Sequence, residues 1–307
     1  MNQQTEELLA LISDYQPGGE FTGAYNIRED GGCAGRRSSE NVVITSKLGQ
    51  PGIDILVKPG TKGETVYIPA CVTHSGVDDL VYNDFIIGEN ADVTIVAGCG
   101  VHTEGEGESR HNGIHSFRLG RGARVRYLEK HIGIGEGSGA RRINPVTRVE
   151  LGPQSYMEMD TTQIGGVDTT ERSTEAAVGE GAKLIIREKL LTEGKQTAVT
   201  DFTVTMEGED SKADIVSRSV AKGKSRQSFR SVMRGNSRCT GHSECDAILM
   251  DSASVSASPD LEANHLDAAL IHEAAIGKIA GEQLIKLMTL GLSEQEAEET
   301  IIGGFLK

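Results

Sequence analysis

The chain has 307 residues, 37% of them hydrophobic, and a formal net charge of −14 from 31 basic and 45 acidic side chains. That length can bury a sizeable core as one large domain or two ordinary ones, while the acidic surplus argues against nucleic-acid binding, which needs clustered Lys and Arg against phosphate. The start Met-Asn-Gln-Gln-Thr-Glu-Glu lacks the basic region of a secretory signal and no apolar run approaches the roughly 18 residues of a membrane span, so a cytoplasmic protein without a membrane partner is expected.

Residues 5–15 read as a short helix stopped by Pro17-Gly18-Gly19, and a loop rich in Gly and charge follows to about residue 40. From Val42 to about Met250 the pattern changes to short apolar runs such as Val42–Thr45, Ile53–Val57, Asp92–Ala97 and Arg124–Leu128, with Gly-containing turns between them. Aromatics are only 4% with no Trp, and the 38 glycines suit short strands and many turns.

A repeat lies inside this region. Gly88, Gly120, Gly152, Gly179 and Gly208 each precede Ala or Ser at +3 and apolar residues at +5 and +7, with successive offsets of 32, 32, 27 and 29 residues. Near-constant spacing over five copies favours a solenoid, specifically a parallel β-helix whose strand edges at both ends must be capped or paired. A β-sandwich with regular Gly turns is the competing architecture.

Beyond Pro259, apolar residues at i, i+3 and i+4 predict a helix over roughly 266–290, stopped by Gly291. Ser293-Glu294-Gln295-Glu296 is a capping-box signature for a last helix, 294–302, ending at Gly303-Gly304. The expected organisation is an N-terminal helix and loop (1–40), a β core (41–258) and a C-terminal helical region (259–307).

The five cysteines, Cys33, Cys71, Cys99, Cys239 and Cys245, are odd in number and scattered, a poor disulfide framework and better read as free thiols. Cys245 is the leading candidate for chemistry, because a thiolate is both a soft metal ligand and a nucleophile; a buried strand residue is the plain alternative. His272-Glu273, set inside the apolar stretch 268–280, is the second candidate, since a buried carboxylate needs a partner. Cys71/His74, Cys99/His102 and Cys239/His242 each have Cys-x-x-His spacing, a weak metal signal, and His111/His115 is the one further close pair. Gly133-Ile-Gly135-Glu-Gly137-Ser-Gly139 lacks the Gly-x-Gly-x-x-Gly order of a phosphate cradle and reads as a flexible loop. No P-loop occurs, so ATP chemistry would come from a partner.

The series Ser217-Arg-Ser-Val-Ala, Cys245-Asp246, Leu270-Ile-His-Glu-Ala274, Gly277-Lys278-Ile279, Glu282-Gln283-Leu284, Gly291-Leu292 and Gly303-Gly304-Phe305 resembles the C-terminal half of the SufB/SufD iron–sulfur assembly proteins, with a weaker likeness over 40–240 that includes Asn112-Gly-Ile-His115 and Glu129-Lys-His131. The resemblance implies a mainly β protein: a right-handed parallel β-helix core, a short N-terminal helix and a C-terminal helical region that docks a SufC-like ABC ATPase, with Ile276, Lys278, Gln283, Leu284 and Leu287 in that docking region. It implies Cys245 as the sulfur or cluster acceptor, Glu273 and His272 as further metal ligands, and Cys99, Cys239 and His242 as accessory ones. It further implies a transient iron–sulfur cluster built between two subunits, in a homodimer of two scaffold and two ATPase chains served by a sulfur donor and recipient apo-proteins, with no enzymatic activity of its own. The family's SufB members carry a longer N-terminal region, which puts delivery by the usual sulfur donor in question. The alternatives are a structural adaptor for an ABC ATPase and a β-helix carbohydrate-active enzyme, for which no spaced carboxylate pair stands out.

Overall fold

The computed structural model describes all residues except Met1, Asp14 and Pro17. Among the described residues the strands form two ten-stranded sheets, and from Lys62 onward the chain alternates between them, Arg141–Ile143 and Val146–Leu151 together filling one position of the second sheet. The chain therefore winds as a β-solenoid in which each coil adds one strand to each sheet, as the repeat implies, and no sandwich forms.

The repeat marks one corner of the coil. Gly88, Gly120, Gly152 and Gly179 each donate a backbone hydrogen bond to the coil before, at 2.8–3.0 Å, and Gly208 does so at 3.1 Å. The +3 residues Ala91, Ala123, Ser155, Ala182 and Ser211 are all buried, as are the apolar side chains at +5 and +7, which fill the space between the sheets. Residue +2 is left-handed at every copy: Asn90, Gly122, Gln154, Gly181 and Asp210 have φ of 55–63°. Gly, Asn and Asp favour that conformation, and Gln154 adopts it against its steric preference.

The ends of the solenoid differ. At the N-terminal end each sheet finishes in an antiparallel hairpin, Ala24–Glu29 with Gly32–Arg37 and Val42–Ser46 with Gly52–Val57. The first hairpin replaces the loop expected before residue 40. Helix α1 (Gln3–Ser13) covers the outer face here, and its Leu8 and Ile12 lie where a Cβ on Gly100 or Gly98 would stand, 2.6 Å away in each case. Those glycines admit the helix, while Cys99 between them turns into the core. Pro17, expected to stop this helix, lies outside the described residues.

The C-terminal end is open. Ser254–Ala263 and Ala268–Gly277 are both strands, each pairing in parallel with the previous coil and forming the last strand of its sheet. The helix expected over 266–290 is thus corrected: Ala268, Leu270, His272, Ala274 and Ile276 also alternate with period 2, and pairing with strand Cys239–Leu249 decided the conformation. Helix occupies only α2 (Gly281–Thr289), and Gly291 at φ 100° follows its end. Helix α3 (Glu294–Phe305) opens with the expected capping box, Ser293 Oγ accepting from Glu296 N and Glu296 Oε2 from Ser293 N, but runs through Gly303-Gly304. Ile302 and Leu306 seat it beside Val220, Leu191 and Ile248.

The glycine-rich segment 133–139 stacks on the preceding coil. Gly137 N and Gly139 N donate to Thr103 O and Gly105 O, and a Cβ at 139 would fall 2.1 Å from Gly107 O. Its glycines serve backbone-on-backbone approach rather than the flexibility expected from composition.

Candidate functional site at the open end

Strand pairing sets the site. Parallel register stacks Glu129, Thr161, Glu188, Ser217, Cys245 and Ala274 in one column across neighbouring strands of a single sheet. Their burial parity points the column into the solenoid. Cys245 stands one strand in from the open edge and is only 1% exposed. Burial, with Glu188 and Asp246 adding negative potential, pushes its thiol up to about 12, so at neutral pH it is a protonated thiol.

Behind Cys245 the column is polar. Glu188 accepts hydrogen bonds from Ser217 Oγ (2.6 Å) and Thr200 Oγ1 (3.0 Å). Arg172 bridges Glu188 (3.5 Å) and Glu129 (2.6 Å), and Tyr127 donates to Glu129 at 2.8 Å. Burial alone would raise the Glu129 carboxyl, but His131 and Arg172 hold it well below the usual range. The signal for this array in the sequence is one polar residue per coil at near-coil spacing, which an apolar repeat search passes over.

Residues of opposite parity build a second cluster on the outer face. His242, Glu244 and Glu273 offer ligand atoms within 4.8 Å of one another, Glu244 and Glu273 being direct lateral partners. His242 Nδ1 lies 2.8 Å from Asp214 Oδ1, and Asp214 is itself held by Arg187 at 2.6 Å. That hydrogen bond raises the His242 pKa, burial opposes it, and Glu273, 3.3 Å from Nε2, adds to it. An imidazole oriented through Nδ1 by a carboxylate presents Nε2 outward, the usual arrangement behind a metal-ligating histidine. One imidazole and two carboxylates suit a divalent ion of the first transition row.

The residues singled out from sequence therefore divide. Cys245 is inside, Glu273 and His242 outside, and His272 has inward parity beside Ser243. Its Nδ1 is buried without a hydrogen-bond partner among the described residues, and burial, with His242 nearby, lowers its pKa. Cys239 faces the core whereas His242 faces out, as a three-residue step along a strand requires, so that Cys-x-x-His pair does not chelate together. Cys99 is buried at the opposite end of the solenoid in strand Asp92–His102, far along the stack from Cys245. Glu244, missed from sequence, joins through strand register alone.

The docking residues expected from sequence spread over three elements: Ile276 on the edge strand, Lys278 in the connector, and Gln283, Leu284 and Leu287 on α2. Leu284 and Leu287 are half-buried, while Ile285 and Met288 present the exposed apolar side of that helix.

A family model described as the SUF system FeS cluster assembly, SufBD core domain, matches residues 80–305. An iron–sulfur cluster assembly SufBD family protein of Methanothermobacter thermautotrophicus is 30% identical over 270 residues, 83% of this chain and 62% of that protein. One from Archaeoglobus fulgidus is 30% identical over 268 residues, 81% of this chain and 66% of its own length. Another, from Methanocaldococcus jannaschii, is 26% identical over 277 residues, 88% of this chain and 86% of its own. The chain thus spans somewhat under two thirds of the first two relatives. With the match extending from the coil before Gly88 to the end of α3, the chain belongs to the SufBD family of iron–sulfur cluster assembly proteins.

Proposed function

We propose that this chain is a SufB-like scaffold whose open C-terminal end pairs with a second copy, and that iron and sulfide are assembled there into a nascent cluster. The observation that carries this reading is the open end itself. Two ten-residue parallel strands form unprotected sheet edges, with Leu261, Ile271 and Ile276 exposed beside them. Such edges pair with another chain, and an isologous pairing brings two copies of Cys245 and of the His242/Glu244/Glu273 cluster around one axis.

Iron and sulfide are the cargo. Thiolate is the strong ligand for iron, which in turn binds sulfide, and carboxylate or imidazole oxygen and nitrogen hold iron more weakly, which suits a cluster that must leave. Because Cys245 faces the interior while Glu273 faces out, the two meet at one cluster only when the last coil shifts. A SufC-like ABC ATPase gripping α2 through Ile285 and Met288, together with Leu284, Leu287, Gln283, Lys278 and the edge at Ile276, would supply that shift through its ATP-driven closure. The sulfur donor and the recipient apo-proteins are the remaining partners of this scheme.

Co-expression with the ATPase partner, anaerobic purification and iron and acid-labile sulfide analysis test the reading. The complex is expected to carry both elements, and Cys245→Ala and Glu273→Ala to lower them severalfold. Undiminished iron and sulfide in both variants would remove these residues from the site. The burial of Cys245 favours one competing reading, a structural adaptor for the ATPase; stable ATPase binding with no iron or sulfide under any anaerobic condition would establish it.

A further inference from the structure

The N-terminal half of the solenoid holds a cavity of about 260 Å³ that the cluster-assembly reading does not use. His111, Gly113 and His115 lie on one strand, Ser109–Leu119, at alternate positions, so all three face inward. Both imidazoles line the cavity and are at most 5% exposed. They lean toward each other over the glycine: the point where a Cβ on residue 113 would stand lies 3.1 Å from His115 Nε2 and 3.3 Å from His111 Nε2.

Each ring is oriented from behind. His111 Nδ1 donates to Asp79 Oδ2 at 3.0 Å, and Asp79 is also paired with Arg28. His115 Nδ1 lies 2.9 Å from the Tyr127 hydroxyl, which donates its own proton to Glu129, so the imidazole is the donor and Nε2 carries the lone pair. His111 Nε2 has no hydrogen-bond partner among the described residues, nor has Asn83 Oδ1, although the amide nitrogen of Asn83 lies 3.3 Å from His115 Nε2. Half a turn of the Asn83 amide brings its oxygen to that position.

We propose that His111 and His115, with Asn83, form a second metal site inside the N-terminal coils, taking a borderline-soft divalent ion such as zinc or iron(II), with Gly113 keeping the space between the two nitrogens open. The His111 Nε2 lone pair has no donor and that of His115 only the 3.3 Å contact from the Asn83 amide, so a cation between them satisfies the first and replaces a weak bond at the second. A metal–nitrogen bond is about 2.0–2.1 Å, so an ion near the missing Cβ requires each ring to close by about 1 Å. Asp79 behind His111 completes a carboxylate–histidine arrangement that fixes the ring's orientation and tautomer. Of the positive side chains along the cavity, Arg28 is paired with Asp79 and Lys47 with Asp54 and Asp84, while Arg36 is turned onto the neutral oxygens of Asn26 and Ser46. Cys99 lines the same cavity.

The test is zinc titration of the full chain carrying His242→Ala and Glu244→Gln, which removes the outer-face cluster. One ion per chain is expected. Gly113→Ala inserts a methyl between the nitrogens without altering either ligand, and is expected to weaken binding at least 100-fold while leaving circular dichroism and thermal melting close to those of the parent. His111→Ala should do the same, and Asp79→Asn should weaken binding by about 10- to 100-fold. Zinc affinity unchanged by Gly113→Ala, binding lost only in Cys99→Ser, or no ion bound by the parent would each overturn the proposal.

Discussion

Cys245 and Glu273 stand on neighbouring strands but on opposite faces of the same sheet: Cys245 pairs with Ala274 and points into the core, and Glu273 pairs with Glu244 and points to solvent. Two adjacent strand positions cannot both enter one site on one face. Any chemistry shared by the two therefore passes through the edge of the sheet or requires the last coil to move.

The first consequence is a difference in thiol reactivity. Cys33 is exposed, whereas Cys245 is buried with its thiol at about 12, so burial and protonation both suppress its attack. A rise of about three pH units in the thiol's pKa leaves roughly a thousandth of the thiolate at neutral pH. Alkylation of the isolated chain, followed by peptide mass spectrometry, should label Cys33 in minutes and Cys245 orders of magnitude more slowly, with the Cys245 rate climbing about tenfold per unit from pH 7 to 10. Equal labelling of the two would show that the last coil opens freely.

The second concerns Asp214. It is not itself one of the three cluster residues, yet it fixes the orientation of His242 through Nδ1. Asp214→Asn should weaken iron(II) binding at the outer cluster by about 10- to 100-fold, as loss of a carboxylate behind a ligating histidine does. Anaerobic equilibrium dialysis in a His111→Ala background, which removes the inner pair, measures it. His242→Ala should abolish the same binding and Cys245→Ala should leave it intact, because that thiol is on the other face.

Third, Arg172 neutralises two buried carboxylates. Arg172→Ala leaves Glu129 and Glu188 charged inside the solenoid and is expected to cost about 3–5 kcal/mol in denaturant unfolding. In the wild-type protein the Glu129 carboxyl is depressed, so its contribution is present above the unfolded pKa near 4.3 and is lost as pH falls through the lower folded value. The variant keeps His131 and Tyr127 beside Glu129, so the penalty should hold between pH 7 and 5 and shrink only as pH falls through the folded value. A penalty already shrinking between pH 7 and 5 would show that Arg172 alone holds that carboxyl ionised.

Much of this architecture was legible in the chain. The Gly-x-x-Ala/Ser corners with apolar +5 and +7 positions located a solenoid, because each coil must place a small residue at its bend and branched residues in its core. The sheet register was not legible: nothing in Glu244 by itself pairs it with Glu273, since lateral partners follow from coil lengths that vary with loops such as 103–108. The final strand carries a helical pattern as well, because Ala and Leu at 266–270 satisfy both periods, and only a neighbouring strand chooses between them. The hairpin at 24–37 was hidden by glycine and charge, which its exposed second strand tolerates.

The corner positions carry a last prediction. Gly122 and Gly181 occupy the left-handed +2 position without strain, Asn90 and Asp210 are tolerated there, and Gln154 holds φ 58° with an exposed side chain. A side chain with a Cβ pays roughly 1–2 kcal/mol in this region, while glycine's greater freedom in the unfolded chain offsets part of that gain. Gln154→Gly is therefore expected to stabilise the protein by about 0.5–1 kcal/mol, and Gly181→Ala, at the same position one coil on, to destabilise it by a similar or larger amount. The backbone bond from residue 154 N to Glu180 O, 2.7 Å, survives both changes, so the effect isolates the dihedral preference. Denaturant midpoints at constant m-value measure it, and a destabilised Gln154→Gly variant would mean that the glutamine side chain contributes a contact outweighing its backbone strain.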